Sequence, residues 1–215
     1  MKQYFIFDLE TEPDMELAEI SGYFDNIKPP KNYKDEDKIE KWMETKKEKM
    51  VEELALNPKF AKIKMFSICN NGEIYVIPVN NEAKAIEKLG DMIKKAYLQG
   101  CEIVTANGCN YDFPVLIERG QINRVPIDYR LLIEMANTPW RKNHYDILKV
   151  HKGSVELNSL VKLGKSKEQP DFKTVTIQEL STYSMHEMNI IDSLYKLDCG
   201  IINPGNITGN ILEAI

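Results

Sequence analysis

Near the start of the chain an apolar run, Tyr4-Phe5-Ile6-Phe7, carries straight on into Asp8-Leu9-Glu10-Thr11. Side chains alternate between faces along a strand, so Asp8 and Glu10 project from one face of its C-terminal end. Neighbouring carboxylates repel each other and are costly to desolvate, so a chain that pairs them has a use for a divalent cation between them. Hard oxygen ligands of this kind suit Mg²⁺ or Mn²⁺ better than zinc. The plain alternative is a solvated strand end.

At 215 residues and 43% hydrophobic, the chain can bury one sizeable core, which favours a single domain with room for an insertion. The formal net charge of −5 argues against bulk attraction to nucleic acid but leaves space for a local basic strip. Cys69, Cys101, Cys109 and Cys199 show neither a CxxC pair nor zinc-finger spacing and read as reduced thiols. With no leader-like segment and no membrane-length apolar run, the expectation is a cytoplasmic protein without a membrane partner.

After the first strand, a lysine-rich stretch at about 24–62 reads as an insertion. Within it, Asp35 or Asp37 is placed to cap a helix carrying Ile39, Trp42, Met43, Met50 and Leu54, ended by Asn57-Pro58. Lys64–Cys69 and Ile74–Ile77, separated at Asn71-Gly72, give the strongest hairpin signal in the chain. Ile86, Leu89, Ile93, Ala96 and Tyr97 form a helical stripe that stops at Gly100. A short strand, Ile103–Thr105, leads into a helix from Phe113 or Pro114 to Arg119, closed by Gly120. The last third reads as short helices at Leu157–Leu163, Ile177–Tyr183 and Glu187–Leu197, with the domain ending near 204 and an unassigned tail at 205–215.

Two further carboxylates join the strand pair as candidates. Asp112 stands at the start of the helix after the short strand, and Asp192 interrupts the apolar run Met188-Asn189-Ile190-Ile191-Asp192-Ser193-Leu194. Four carboxylates from three segments suffice to hold two cations roughly 3.5–4 Å apart for in-line phosphoryl displacement. The lysines of the insertion are mostly interleaved with acids as on a solvated helix face, and the least compensated part, Lys28 to Lys34 with Tyr33, is a candidate contact for a nucleic-acid backbone.

These residues resemble the DEDD 3′-to-5′ exonucleases of the ribonuclease H-like superfamily. Asp8-Leu9-Glu10-Thr11 is similar to their first motif, Asn107 through Asp112 to the second, and Asp192 to the final aspartate. The insertion, with His144-Tyr145-Asp146-Ile147-Leu148 and Leu157-Asn158-Ser159-Leu160, resembles phage and prophage exonucleases related to the proofreading domain of family B DNA polymerases. The resemblance implies an α/β, ribonuclease H-like mixed sheet flanked by helices, with a helical insertion after strand one. It also implies two Mg²⁺ or Mn²⁺ ions on Asp8, Glu10, Asp112 and Asp192. The substrate would be nucleic acid, single-stranded DNA first and RNA second, in a bacterial host cytoplasm if phage-encoded.

The family divides by its general base, a tyrosine four residues before the last aspartate or a histidine five before it. Counted from Asp192, those positions hold Met188 and Glu187. His186 is the nearest alternative base, and Tyr183 is a second if the helix breaks between Tyr183 and Glu187. Leu9, Thr11, Asn107 and Phe113 are candidate substrate contacts, with Leu9 and Phe113 able to stack or wedge the terminal base. The expectation is a metal-dependent 3′-to-5′ exonuclease. A nuclease-derived nucleic-acid-binding or replication-accessory module with weak or no turnover is the alternative, motivated by Met188.

Overall fold

The structure, a computed structural model, describes residues 3–138, 143–150 and 176–199. Strands β1 (Tyr4–Pro13), β2 (Ala61–Asn70), β3 (Glu73–Pro78), β4 (Glu102–Thr105) and β5 (His144–Asp146) make one mixed sheet in the order β3-β2-β1-β4-β5. The β1/β2 and β2/β3 pairs are antiparallel, and β1/β4 and β4/β5 are parallel. The helices are α1 (Met15–Ile20), α2 (Glu36–Leu54), α3 (Glu82–Leu98), α4 (Asp112–Ile122), α5 (Tyr129–Asn137), α6 (Ile147–Val150) and α7 (Ile177–Asp198). This α/β architecture is compatible with a ribonuclease H-like fold.

Alternation along β1 sorts its side chains into two cores. Phe5, Phe7 and Leu9 point to the face covered by α3, α4 and α5, where Ile86, Leu89, Ile93, Phe113, Leu116 and Leu132 close around them. Tyr4 and Ile6 point to the other face, against Met188, Ile191, Leu194 and Tyr195 of α7. Each such fully buried side chain contributes about 1.5–3 kcal/mol of transfer free energy. Asp8 and Glu10 share the Tyr4/Ile6 face, so α7 is the helix that can reach them.

The hairpin forms as expected around Asn71 and Gly72, both at positive φ. The insertion helix also forms, although Asp35 caps it without a side-chain hydrogen bond. Along α2 only the last residue, Leu54, is buried, packing with Ala18 and Phe60 in a small separate cluster. Leu54 thus anchors the C-terminal end of the helix.

Three expectations need correction. Gly120 does not close a helix, because α4 continues to Ile122; a Cβ there would lie 2.9 Å from the Tyr129 hydroxyl, so glycine serves close packing within the helix. Ile177–Tyr183 and Glu187–Leu197 are parts of one uninterrupted helix, α7, since no Gly or Pro lies between them to break it. The segment His144–Asp146 is a strand, where only helices were expected in this third of the chain. The helix expected at Leu157–Leu163 and the tail at 205–215 lie outside the described residues.

Candidate metal centre

β4 pairs with β1 only from Tyr4 to Ile6, so beyond Ile6 the edge of β1 that faced β4 lies open. Asp112, the first residue of α4, fills part of that edge: its Oδ1 accepts the Leu9 backbone N–H at 3.1 Å. It does not cap its own helix, whose N-cap is Tyr111. A cleft of about 240 Å³ opens at this point, lined by Asp8, Glu10, Asp112 and Glu187 together with Leu9, Thr11, Asn107, Tyr111, Tyr183, Ala55, Leu56 and Ala106.

Ligand oxygens of Asp8, Glu10 and Glu187 lie within 4.8 Å of one another. All three residues and Asp112 are buried. Among the described residues the lining carries four carboxylates and no Lys, Arg or His. An all-oxygen donor set of this kind fits Mg²⁺ or Mn²⁺.

Glu187, and not Asp192, therefore completes the cluster. Asp192 lies toward the opposite end of the β1/α7 contact, where its carboxylate accepts from the Tyr4 hydroxyl at 2.8 Å and pairs with Lys196 at 2.6 Å. Tyr4 and Asp8 are about 13 Å apart along a strand, too far for the Asp192 carboxylate held at Tyr4 to reach. A helix registered with Tyr4 at Asp192 thus presents an earlier turn to Asp8. That turn holds Glu187, and four residues before it Tyr183 donates its hydroxyl to Glu187 Oε1 at 2.7 Å. Counted from Glu187, the position four residues ahead is a tyrosine. Met188, the residue found there when counting from Asp192, is fully buried among Ile6, Val104 and Ile191. His186 is half-buried and does not line the cleft.

The expected substrate contacts divide in the same way. Leu9, Thr11 and Asn107 line the cleft. Phe113 does not, because its ring is fully buried with its centroid 5.2 Å from that of Phe7 and 5.0 Å from that of His144. It is core.

Residues that carry no chemical signature in the sequence shape the cleft. Tyr111 donates to Ala55 O at 2.6 Å and is hydrogen-bonded to the Thr11 hydroxyl, which ties the end of α2 to the wall of the site. Burial, reinforced by the charges of Asp112, Asp8 and Glu10, pushes the Tyr111 phenol above its ordinary pKa, so it stays a protonated donor. Asp146 accepts the backbone N–H groups of Asn107 and Cys109 at 3.0 and 2.9 Å and so holds the turn in which Asn107 takes a φ of 77°. Gly108 in that turn passes so close to Thr105 that an added Cβ would lie 2.5 Å from its side chain.

Cys109, His144 and Asp146 form a second cluster, but its donors are already engaged. His144 is hydrogen-bonded through Nδ1 to Met135 O at 2.9 Å and through Nε2 to Thr105 Oγ1 at 3.0 Å. Burial first, then the charge of Asp146, pushes the Cys109 thiol up to about 12, which keeps it protonated and a poor ligand. This cluster is a structural pin behind the turn that holds Asn107 and Gly108.

No protein-family model matches the chain, and no curated protein matches it. No helix among the described residues is long and apolar enough to cross a membrane.

Proposed function

We propose that this protein is a metal-dependent 3′-to-5′ exonuclease acting on single-stranded DNA. The observation that carries the reading is the convergence of the Asp8, Glu10 and Glu187 carboxylates in a cleft that also holds Asp112, with Tyr183 bonded to Glu187. Asp8, Glu10, Asp112 and Glu187 are the residues that would hold Mg²⁺ or Mn²⁺. Bound there, such ions supply an activated water and neutralise the leaving oxygen in phosphodiester hydrolysis.

The chain's own groups do the rest. Tyr183, fixed by its bond to Glu187, is the group placed to orient a water and take part in its deprotonation. Leu9, Thr11, Asn107 and Leu56 line the cleft where the terminal nucleotide would rest, and Leu56 is 69% exposed. With Met188 in the core and Tyr183 four residues before Glu187, the motive for a module without turnover falls away.

The test is a 5′-labelled single-stranded DNA oligonucleotide incubated with purified protein and Mg²⁺, Mn²⁺ or EDTA, its products separated on a gel. A ladder shortening from the 3′ end in metal, absent in EDTA and absent with Asp8→Asn, is the expected result. Full activity of Asp8→Asn would refute the site. A ribo-oligonucleotide run in parallel settles the sugar. Replacing Tyr183 by Phe, which keeps the ring and removes the hydroxyl, should slow hydrolysis by about 10²-fold or more, as loss of a general base does, while oligonucleotide affinity holds. An unchanged rate in this variant would take Tyr183 out of the chemistry.

A further inference from the structure

Helix α2 runs for 19 residues with Leu54 fully buried and Ile39, Trp42, Met43 and Met50 mostly covered. At about 100° per residue, Ile39, Met43, Met50 and Leu54 share the face toward the protein. A face flanking it carries Lys38, Lys41, Trp42, Thr45, Lys46 and Lys49, whereas Glu36, Asp37, Glu40, Glu44 and Glu48 fall on the other side. The acids that interleave with these lysines in sequence are thus segregated from them in space until Glu52 and Glu53 close the stripe.

Tyr33 and Trp42 flank a shallow hollow of about 280 Å³ in this stripe, bordered by Lys38, Lys41 and Thr45. Tyr33 is 37% exposed, and Lys38 pairs with Asp35 at 3.3 Å in an exposed pair of little worth. Two aromatic faces framed by lysines match the chemistry of a single strand, whose bases stack and whose phosphates carry charge. Trp42 stands about 20 Å along the helix from Ala55, whose carbonyl accepts from both Thr11 and Tyr111 at the cleft wall.

We infer that the Lys38/Lys41/Trp42/Tyr33 face of α2 is a binding surface for the single-stranded DNA whose 3′ end occupies the cleft. The inference rests on the exonuclease reading and names where an upstream part of that substrate is held. Charge complementarity decides the occupant: an acidic chain with flat bases suits this stripe, and an apolar partner would leave its lysines unpaired.

The experiment measures fluorescence anisotropy of a labelled fifteen-nucleotide oligothymidylate titrated with full-length protein in an Asp8→Asn background, which blocks turnover. Trp42→Ala should weaken binding about tenfold, the size of one lost stacking contact. Lys38→Glu with Lys41→Glu should weaken it further and flatten the dependence of log affinity on log salt by about 1.4. Glu40→Gln with Glu44→Gln, on the acidic side, should leave affinity unchanged or slightly tighter. If the stripe variants bind as well as their parent, the inference is overturned, including the case in which the stripe serves an acidic protein. A metal-dependent ladder from the wild type in that event keeps the exonuclease reading standing. Absence of the ladder removes that reading independently of the binding result.

Discussion

Replacing Glu187 by Gln should lower turnover of a single-stranded DNA substrate by about a hundredfold or more, while Asp192→Asn leaves it near the wild-type rate. The first change removes a charged oxygen from a cluster whose members lie within 4.8 Å of each other. Losing even a supporting partner of a metal site costs 10–100-fold, and Glu187 would be a direct ligand. The second change touches the Tyr4, Lys196 and Cys69 contacts of Asp192. Its expected cost is in stability, about 1–3 kcal/mol for a charged, partly buried hydrogen-bonding group. Gel assays in Mn²⁺ beside urea unfolding of the same two proteins separate these effects. An inactive Asp192→Asn protein with the stability of wild type, paired with an active Glu187→Gln, would return the fourth ligand to Asp192.

The exchange of Asp192 for Glu187 shows where the sequence was legible. Asp8 and Glu10 could be read because the period of a strand is two and the apolar residues between them fix the phase. Asp112 was legible because a strand, a turn and a helix start occur in order within a dozen residues. The last carboxylate of the cluster depends on how α7 is registered against β1, which the long-range packing of Tyr4, Ile6, Met188 and Tyr195 sets and no local pattern records. Reading α7 as two helices hid the clue further. In an unbroken helix, Tyr183 and Glu187 sit one turn apart on one side, as their hydrogen bond shows.

Short elements failed for a related reason. β5 has three residues, too few for alternation to register, and it forms because Ile103–Thr105 offers a parallel edge to His144–Asp146. α1 has six residues and draws its start from Asp14, whose side chain accepts the Leu17 N–H at 3.0 Å. Phe113 was misplaced because an aromatic beside a candidate site carboxylate reads equally as a stacking group or as core. The first turn of α4 turns it inward, against Phe7.

The largest expected loss of stability comes from a residue that no functional pattern marks. Arg119→Met should destabilise the protein by about 3–5 kcal/mol, a large share of the 5–15 kcal/mol typical of a domain. The guanidinium is 3% exposed and donates to Glu82 at 2.6 and 3.0 Å, to Asp14 at 2.8 Å and to Lys59 O at 3.2 Å. Methionine fills much of the space but leaves two carboxylates with their shared cation gone. Glu82 also accepts the Ile63 N–H at 2.8 Å, so the network stitches α1, α3, α4, β2 and the chain after α2 at one point. The same stitch lies next to the segment that carries Ala55 to the cleft, so loosening it should reduce activity beyond the fraction unfolded. Urea midpoints of Arg119→Met, Glu82→Gln and the double variant form the check. The double variant should be more stable than the sum of the two losses implies, because the second change removes a carboxylate that the first had stranded. Strict additivity, or an unfolding midpoint for Arg119→Met equal to that of wild type, would mean that the buried ions do not act as one network.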